Sequence, residues 1–158
     1  MSSDEALRQE LVKRYQFLES KIRLVRPRRV HIDVDSENFT EIFQYLVDQQ
    51  KFTILCMITG LDEGENLSLI YHLAQDAGTV LNLKVSVPKT SPVVKSVISV
   101  FPGAEIYERE VVDLFGVDVT GLPPGNRYPL TDDWPAQDHP LRKDWKSNGS
   151  CGQEASHA

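Results

Sequence analysis

At 158 residues the chain fits a single domain with a sizeable core, and 41% hydrophobic with 25% charged residues sets it among soluble globular proteins, apart from disordered chains. The net charge of −6 argues against a nucleic-acid role, which shows as a basic balance. The longest apolar run, Ile54 to Ile58, is far short of the roughly 20 residues of a bilayer span, and the polar start MSSDEALRQE lacks a signal-peptide core; the expectation is a soluble cytosolic protein able to sit on a membrane complex.

Along the chain, SSDEALRQELVKRYQFLESKI places Leu7, Leu11, Tyr15, Leu18 and Ile22 at steps of three and four, one stripe of an amphipathic helix that Ser2 or Ser3 can cap. KIRLVRPRR (21–29) holds five basic residues without an interleaved aromatic to stack bases, and reads as a solvated face or a contact with an acidic partner. RVHIDVD alternates Val30, Ile32 and Val34 with Arg29, His31 and Asp33, as a half-buried strand does. Ser36 is the expected cap of a second helix, ENFTEIFQYLVDQQ, whose Phe39, Ile42, Phe43, Leu46 and Val47 share one face.

KFTILCMITG, NLSLIYHLA and TVLNLKVSV, separated by LDEGE and QDAG, form an antiparallel meander in this reading. SPVVKSVISVF, opened by Ser91-Pro92 and closed by Pro102-Gly103, predicts a third helix, and Ala104 to Phe115 a fourth. The order predicts a single α+β domain: a mixed or antiparallel sheet with helices mainly on one face, followed by an extended C-terminal arm. His72 is expected as a sheet residue with a hydrogen-bond partner, and Cys56 as a small core hydrophobe. Cys56 and Cys151 form no Cys-x-x-Cys pair, so the chain cannot supply the ligands of a zinc ribbon or an iron–sulfur cluster.

In the fourth helix, IYEREVVDLFG, the residues Tyr107, Val111, Leu114 and Phe115 fall on one stripe. Glu105, Arg109 and Asp113 recur every four residues opposite it, where Arg109 can bridge both acids. Glu108 and Glu110 flank the stripe about 160° apart, too divergent for a paired-carboxylate acid/base site. From Gly116 the composition changes: GVDVTGLPPGNRYPLTDDWPAQDHPLRKDW carries five of the nine prolines and both tryptophans. Stiff proline-rich backbone with Trp and Arg anchors suits a segment that lies in a fixed path on a partner. The division is therefore 1–119 as the folded domain, 120–146 as a docking arm and 147–158 as a disordered tail with an incidental thiol at Cys151.

YEREVVDLFG followed by HPLRKDW resembles the signature of the thirty-kilodalton subunit family of respiratory complex I, the NADH:quinone oxidoreductase. Glu108, Arg109, Glu110, Asp113, Leu114, Phe115 and Gly116 match its first part, and His139 to Asp144 its last. Gly121-Leu122-Pro123 stands where complex I members usually have Gly-His-Pro, and the arginine-rich step after it is reduced to Arg127. RYPLTDDWP is similar to the related subunit of membrane-bound energy-converting nickel–iron hydrogenases, and the reading leans to that branch.

The resemblance implies a non-catalytic subunit of a peripheral arm, on the cytoplasmic side of the membrane. It packs against the large catalytic subunit and the iron–sulfur subunits, and the iron–sulfur clusters, with nickel and iron in the hydrogenase branch, belong to those partners. Its implied partner-binding residues are Glu108, Arg109, Glu110, Asp113, Arg127, Trp134, His139, Pro140, Leu141, Arg142, Lys143 and Trp145, with Arg142 able to bond a partner carboxylate bidentately. Three alternatives stand beside it: the corresponding subunit of a quinone-reducing complex fed by NADH or another donor, a stand-alone metal-dependent hydrolase using His139 with Asp132, Asp133 or Asp138, and an HPLRKDW tail that packs on its own domain.

Overall fold

The computed structural model describes residues 3–146. Its elements are α1 (Ser3–Arg14), a 3-10 turn (Gln16–Leu18), β1 (Ile22–Arg26), β2 (Arg29–Asp35), α2 (Ser36–Asp48), β3 (Ile54–Asp62), β4 (Asn66–Ala74), β5 (Val80–Pro88), β6 (Val93–Lys95), α3 (Ala104–Phe115) and β7 (Asp118–Thr120). β1 to β5 form one sheet in the order β1-β2-β5-β4-β3. The expected meander is there, antiparallel through β3, β4 and β5, while β2 joins β5 in parallel and makes the sheet mixed.

Alternation decides the two faces. Val30, Ile32 and Val34 stand opposite Leu81, Leu83 and Val85, which stand opposite Leu73, Tyr71 and Leu69, so one face is continuously apolar. The helices cover it. Phe39 and Phe43 of α2 lie 4.8 and 5.6 Å from the Tyr71 ring, and Tyr15, just after α1, meets Tyr45 of α2 edge-on at 5.7 Å. Phe115 of α3 lies against Gly60, where any Cβ would run into its ring. The opposite face is polar and bonded across strands: His72 bridges Thr59 at 2.9 Å and Asn82 at 2.8 Å, as expected of a partnered sheet histidine, and Lys84 pairs with Glu63 at 2.7 Å.

Several expectations fail for identifiable reasons. Residues 91–101 form no α-helix. Their backbone bonds instead to β7, Asp118 N–H to Pro92 C=O at 2.8 Å and Ser96 N–H to Thr120 C=O at 2.9 Å, and the β-branched Val93-Val94 pair suits the resulting parallel β6–β7 ladder. The first helix stops at Arg14, after which Leu18 and Ile22 reach the core from a 3-10 turn and from β1. α2 begins at Ser36 with Asp35 in the capping position, and no side chain caps it. Cys56 is exposed, because the register shift between Leu55 and Met57 turns it out of the sheet. Ser2, Cys151 and the tail 147–158 lie outside the described residues.

Candidate functional site

An α-helix leaves its last four carbonyls without partners inside the helix, and α3 solves this with the arm. Gly116 ends the helix in the left-handed conformation at φ 66°, its N–H bonded to Val112 C=O at 2.9 Å. The HPLR segment then takes the carbonyls in turn. His139 Nδ1 reaches Asp113 C=O at 2.9 Å, Leu141 N–H reaches Leu114 C=O at 3.1 Å, and Arg142 donates to Phe115 C=O at 2.6 Å and Gly116 C=O at 3.2 Å. Since a carbonyl only accepts, His139 carries a proton on Nδ1. The Arg142 charge sits at the negative end of the helix dipole. A Cβ on Gly116 would overlap the His139 imidazole and Arg142 Nη2, so glycine is required here by conformation and by space alike.

The start of the arm is held by α3 side chains. The buried Asp113 carboxylate accepts from Arg127 Nε at 3.0 Å and from Leu130 N–H at 3.3 Å, and Arg127 also donates to Trp134 C=O at 2.6 Å. Arg109 pairs with Glu105 at 2.8 Å and donates to Pro123 C=O at 2.9 Å, and a Cβ on Gly125 would run into its guanidinium. The expected bridge from Arg109 to both Glu105 and Asp113 is thus only half made. An exposed i, i+4 pair is worth a few tenths of a kcal/mol, roughly, whereas the buried Asp113 gains a charge-assisted bond to Arg127.

Glu108 is not at the margin of the helix stripe. It is fully buried, accepting from Ser96 Oγ at 2.6 Å and Val97 N–H at 2.7 Å, and so ties α3 to the segment expected to be helical. Burial pushes its carboxyl above the ordinary value, against the pull of those two hydrogen bonds. The nearby Tyr71 hydroxyl is buried without a partner among the described residues, and burial together with the Glu108 charge pushes it up as well. Glu110 is half-buried and joins none of these bonds.

A second anchor escaped the sequence reading. Asp62, at the end of β3, accepts from Lys89 Nζ at 2.7 Å, Gly64 N–H at 2.8 Å and Lys143 N–H at 2.8 Å, and Lys89 also pairs with Asp144 at 2.7 Å. Burial alone would raise Asp62, but the Lys89 ammonium and the two backbone donors outweigh it and bring the carboxyl down to about 2. The Asp62–Lys143 contact spans 81 positions, and no local pattern announces it. Trp134 and Trp145 stack at 6.2 Å, and the Trp134 indole donates to Asp138 C=O at 2.9 Å. The side chains of Leu141, 52% exposed, and Lys143 are open to solvent.

The frame therefore gathers Arg109, Asp113, Arg127, Trp134, His139, Leu141, Arg142, Lys143 and Trp145 on one corner of the molecule, leaving Glu108 in the core and Glu110 aside. Arg142 directs Nε and Nη2 to its own chain's carbonyls. Among the described residues no three His, Cys, Asp or Glu side chains gather to hold a metal ion, and His139 faces Asp113 C=O. Nor is any described helix long and apolar enough to cross a membrane.

Residues 32–150 match the family model described as respiratory-chain NADH dehydrogenase, 30 Kd subunit. The matching subunit of the F(420)H(2) dehydrogenase of Methanosarcina mazei is 36% identical over 123 residues, covering 76% of this chain and 77% of that one. The matching subunit of the NADH-quinone oxidoreductase of Rhodopseudomonas palustris is 35% identical over 124 residues, 75% of this chain but only 59% of the relative. Among solved structures, a chain of the membrane-bound sulfane sulfur reductase, an archaeal respiratory membrane complex, shares the fold with a TM-score of 0.81 at 24% identity, over 92% of this chain and 87% of that chain. A trypsin-resistant fragment of Nqo5 aligns with a TM-score of 0.63 at 26% identity, over 75% of this chain and 99% of the fragment.

Proposed function

This chain belongs to the respiratory-chain NADH dehydrogenase 30 Kd subunit family, and from that premise we propose that it is a non-catalytic scaffold subunit of a membrane-bound, complex I-like oxidoreductase. It docks on the large catalytic subunit and the iron–sulfur subunits, peripherally and on the cytoplasmic side. Residues 1–119 are the folded body and 120–146 the docking arm. The clusters, and nickel and iron in a hydrogenase, lie in the partners, as do electron donor and acceptor.

One observation carries this reading: the two signature segments are bonded to each other. The arm is laid along α3 before any partner arrives, so its conformational entropy is already spent and the partner meets a preformed surface. The partner-facing groups are then what that frame leaves free: the Leu141 and Lys143 side chains and Glu110, beside the half-buried faces of the stacked tryptophans. Arg109, Asp113, His139 and Arg142 act on the partner indirectly, by fixing the arm.

The hydrogenase branch rests on Leu122 and on the RYPLTDDWP segment, the dehydrogenase branch on the F(420)H(2) and NADH-quinone relatives. Capture of the chain from its native membranes, with mass spectrometry of what co-purifies, separates them. A large subunit with two Cys-x-x-Cys motifs and hydrogen evolution identifies the first, and one without them and with quinone reduction the second. Recovery of the chain alone and monomeric overturns the scaffold reading.

A further inference from the structure

The two edges of the sheet are finished differently. At β3 the chain supplies its own cover: Tyr107 OH donates to Cys56 C=O at 3.2 Å, Phe115 fills the space at Gly60, and Lys143 N–H closes on Asp62. β1 is bonded within the sheet to β2 alone, and four of its five residues are exposed, with Val25 at 68% and Leu24 at 36% beside Phe17 at 42%. Its outward backbone edge is open to another strand.

The charges on that edge are unevenly matched. Lys21 pairs with Asp35 at 2.6 Å and Arg23 with Asp33 at 3.0 Å. At the hairpin tip, Arg26, Arg28 and Arg29 have no carboxylate within ion-pair distance among the described residues. The Arg29 guanidinium finds only the Arg28 carbonyl, at 2.7 Å, and Arg28 uses its backbone N–H, not its side chain, on Asp4. A chain of net charge −6 thus gathers three guanidinium groups without a carboxylate partner around one hairpin, Arg26 on the open strand itself and Arg28 and Arg29 just behind it, where Arg28 Nη1 lies over Gly78 of the turn between β4 and β5.

We propose that the β1 edge and the Arg26–Arg29 tip form a docking surface for an acidic, extended segment of a protein partner. The segment adds as a strand beside β1 and sets carboxylates against Arg26 and the cationic tip that Arg28 and Arg29 complete. Main-chain pairing supplies affinity in this mode, and the side chains supply selectivity. Cations along an edge repel a second copy of the same strand, which guards against self-pairing, while admitting an acidic one. Exposed Leu24, Val25 and Phe17 give the incoming strand apolar contact, and the planar guanidinium fork suits carboxylates. The inference rests on the scaffold reading but uses a surface remote from the arm.

The test uses the full chain expressed in its native membranes, with a benzophenone amino acid at Val25 and, separately, Arg26, Arg28 and Arg29 changed together to Gln or to Glu. Cross-linking from position 25 into an acidic segment of another protein of the complex is expected. Complex recovery should fall tenfold or more for the Glu variant, less for the Gln variant, with melting of the isolated chain unchanged. Reversing the cross-linked acids to Lys should restore the Glu variant. Unchanged recovery of the Glu variant, or cross-links only to lipid or to a second copy, would overturn the proposal and leave the scaffold reading standing. If the unmodified chain captures no partner protein, the scaffold reading falls first and this inference with it.

Discussion

In the sheet, Leu81, Leu83, Val85 and Tyr71 close under Phe39 and Phe43, whereas the arm from Leu122 to Trp145 meets its own domain largely through directed hydrogen bonds to helix-end carbonyls and two buried carboxylates. Burial of apolar area is non-directional and is shared among many neighbours. A frame of hydrogen bonds concentrates its dependence on a few atoms, and each bond left half-made costs the desolvation of the remaining group. The sheet should therefore fail globally when cut, and the arm locally, by lifting from α3 while the core persists.

Leu83→Ala should have the largest effect. Removing a fully buried side chain from the central strand costs about 2–5 kcal/mol, and a single lower transition is expected in thermal melts, with sheet and arm lost together. Gly116→Ala comes next, at about 2–4 kcal/mol, because a Cβ must be housed at φ 66° against His139 and Arg142. Here limited proteolysis should cut the arm while the core stays folded. Asp113→Asn should cost about 1–3 kcal/mol by leaving the Arg127 guanidinium without its counter-charge, with the cleavage sites concentrated between 122 and 135. If Gly116→Ala instead lowers the global transition as much as Leu83→Ala, the arm and the sheet are one cooperative unit and the contrast is lost.

The smallest effects are in pH dependence, and the two carboxylates act in opposite directions. Glu108 has a folded pKa raised above its ordinary 4.5, so its contribution is fully present below that value and is lost as pH rises through the folded pKa. Asp62, brought down from 3.8 to about 2, contributes above 3.8 and loses that contribution as pH falls towards 2. Against wild type, Glu108→Gln should gain relative stability as pH rises from about 4.5, and Asp62→Asn should close its deficit as pH falls below 3.8. Denaturant titrations at stepped pH read both slopes.

The same contrast explains what could be read from the sequence. The alternation at Val30, Ile32 and Val34 and the face of Phe39, Phe43 and Leu46 are local patterns, and they located the sheet and its covering helix. The 91–101 segment misled because Ser91-Pro92 and Pro102-Gly103 are the start and stop signals of a helix, and the competing partner at 118–120 lies beyond the reach of a local pattern. β1 was hidden because Leu18 and Ile22 continue the stripe of α1 into a different element. In the frame, the residues of both signature segments were legible, and HPLRKDW packing on its own domain stood among the alternatives, but not that it meets the end of α3. That contact follows from the carbonyls at a helix end, groups that every sequence has and none displays.

The most direct measurement is amide hydrogen exchange across 122–145 in the isolated, full-length chain. We expect slow exchange at Leu141, Arg142 and Lys143, whose N–H groups are bonded to Leu114, His139 and Asp62, with protection lost in Gly116→Ala while β4 and β5 keep theirs. Exchange of those three amides at unfolded-chain rates in the wild-type protein would contradict a preformed frame, and would mean that the arm takes its path only from a partner.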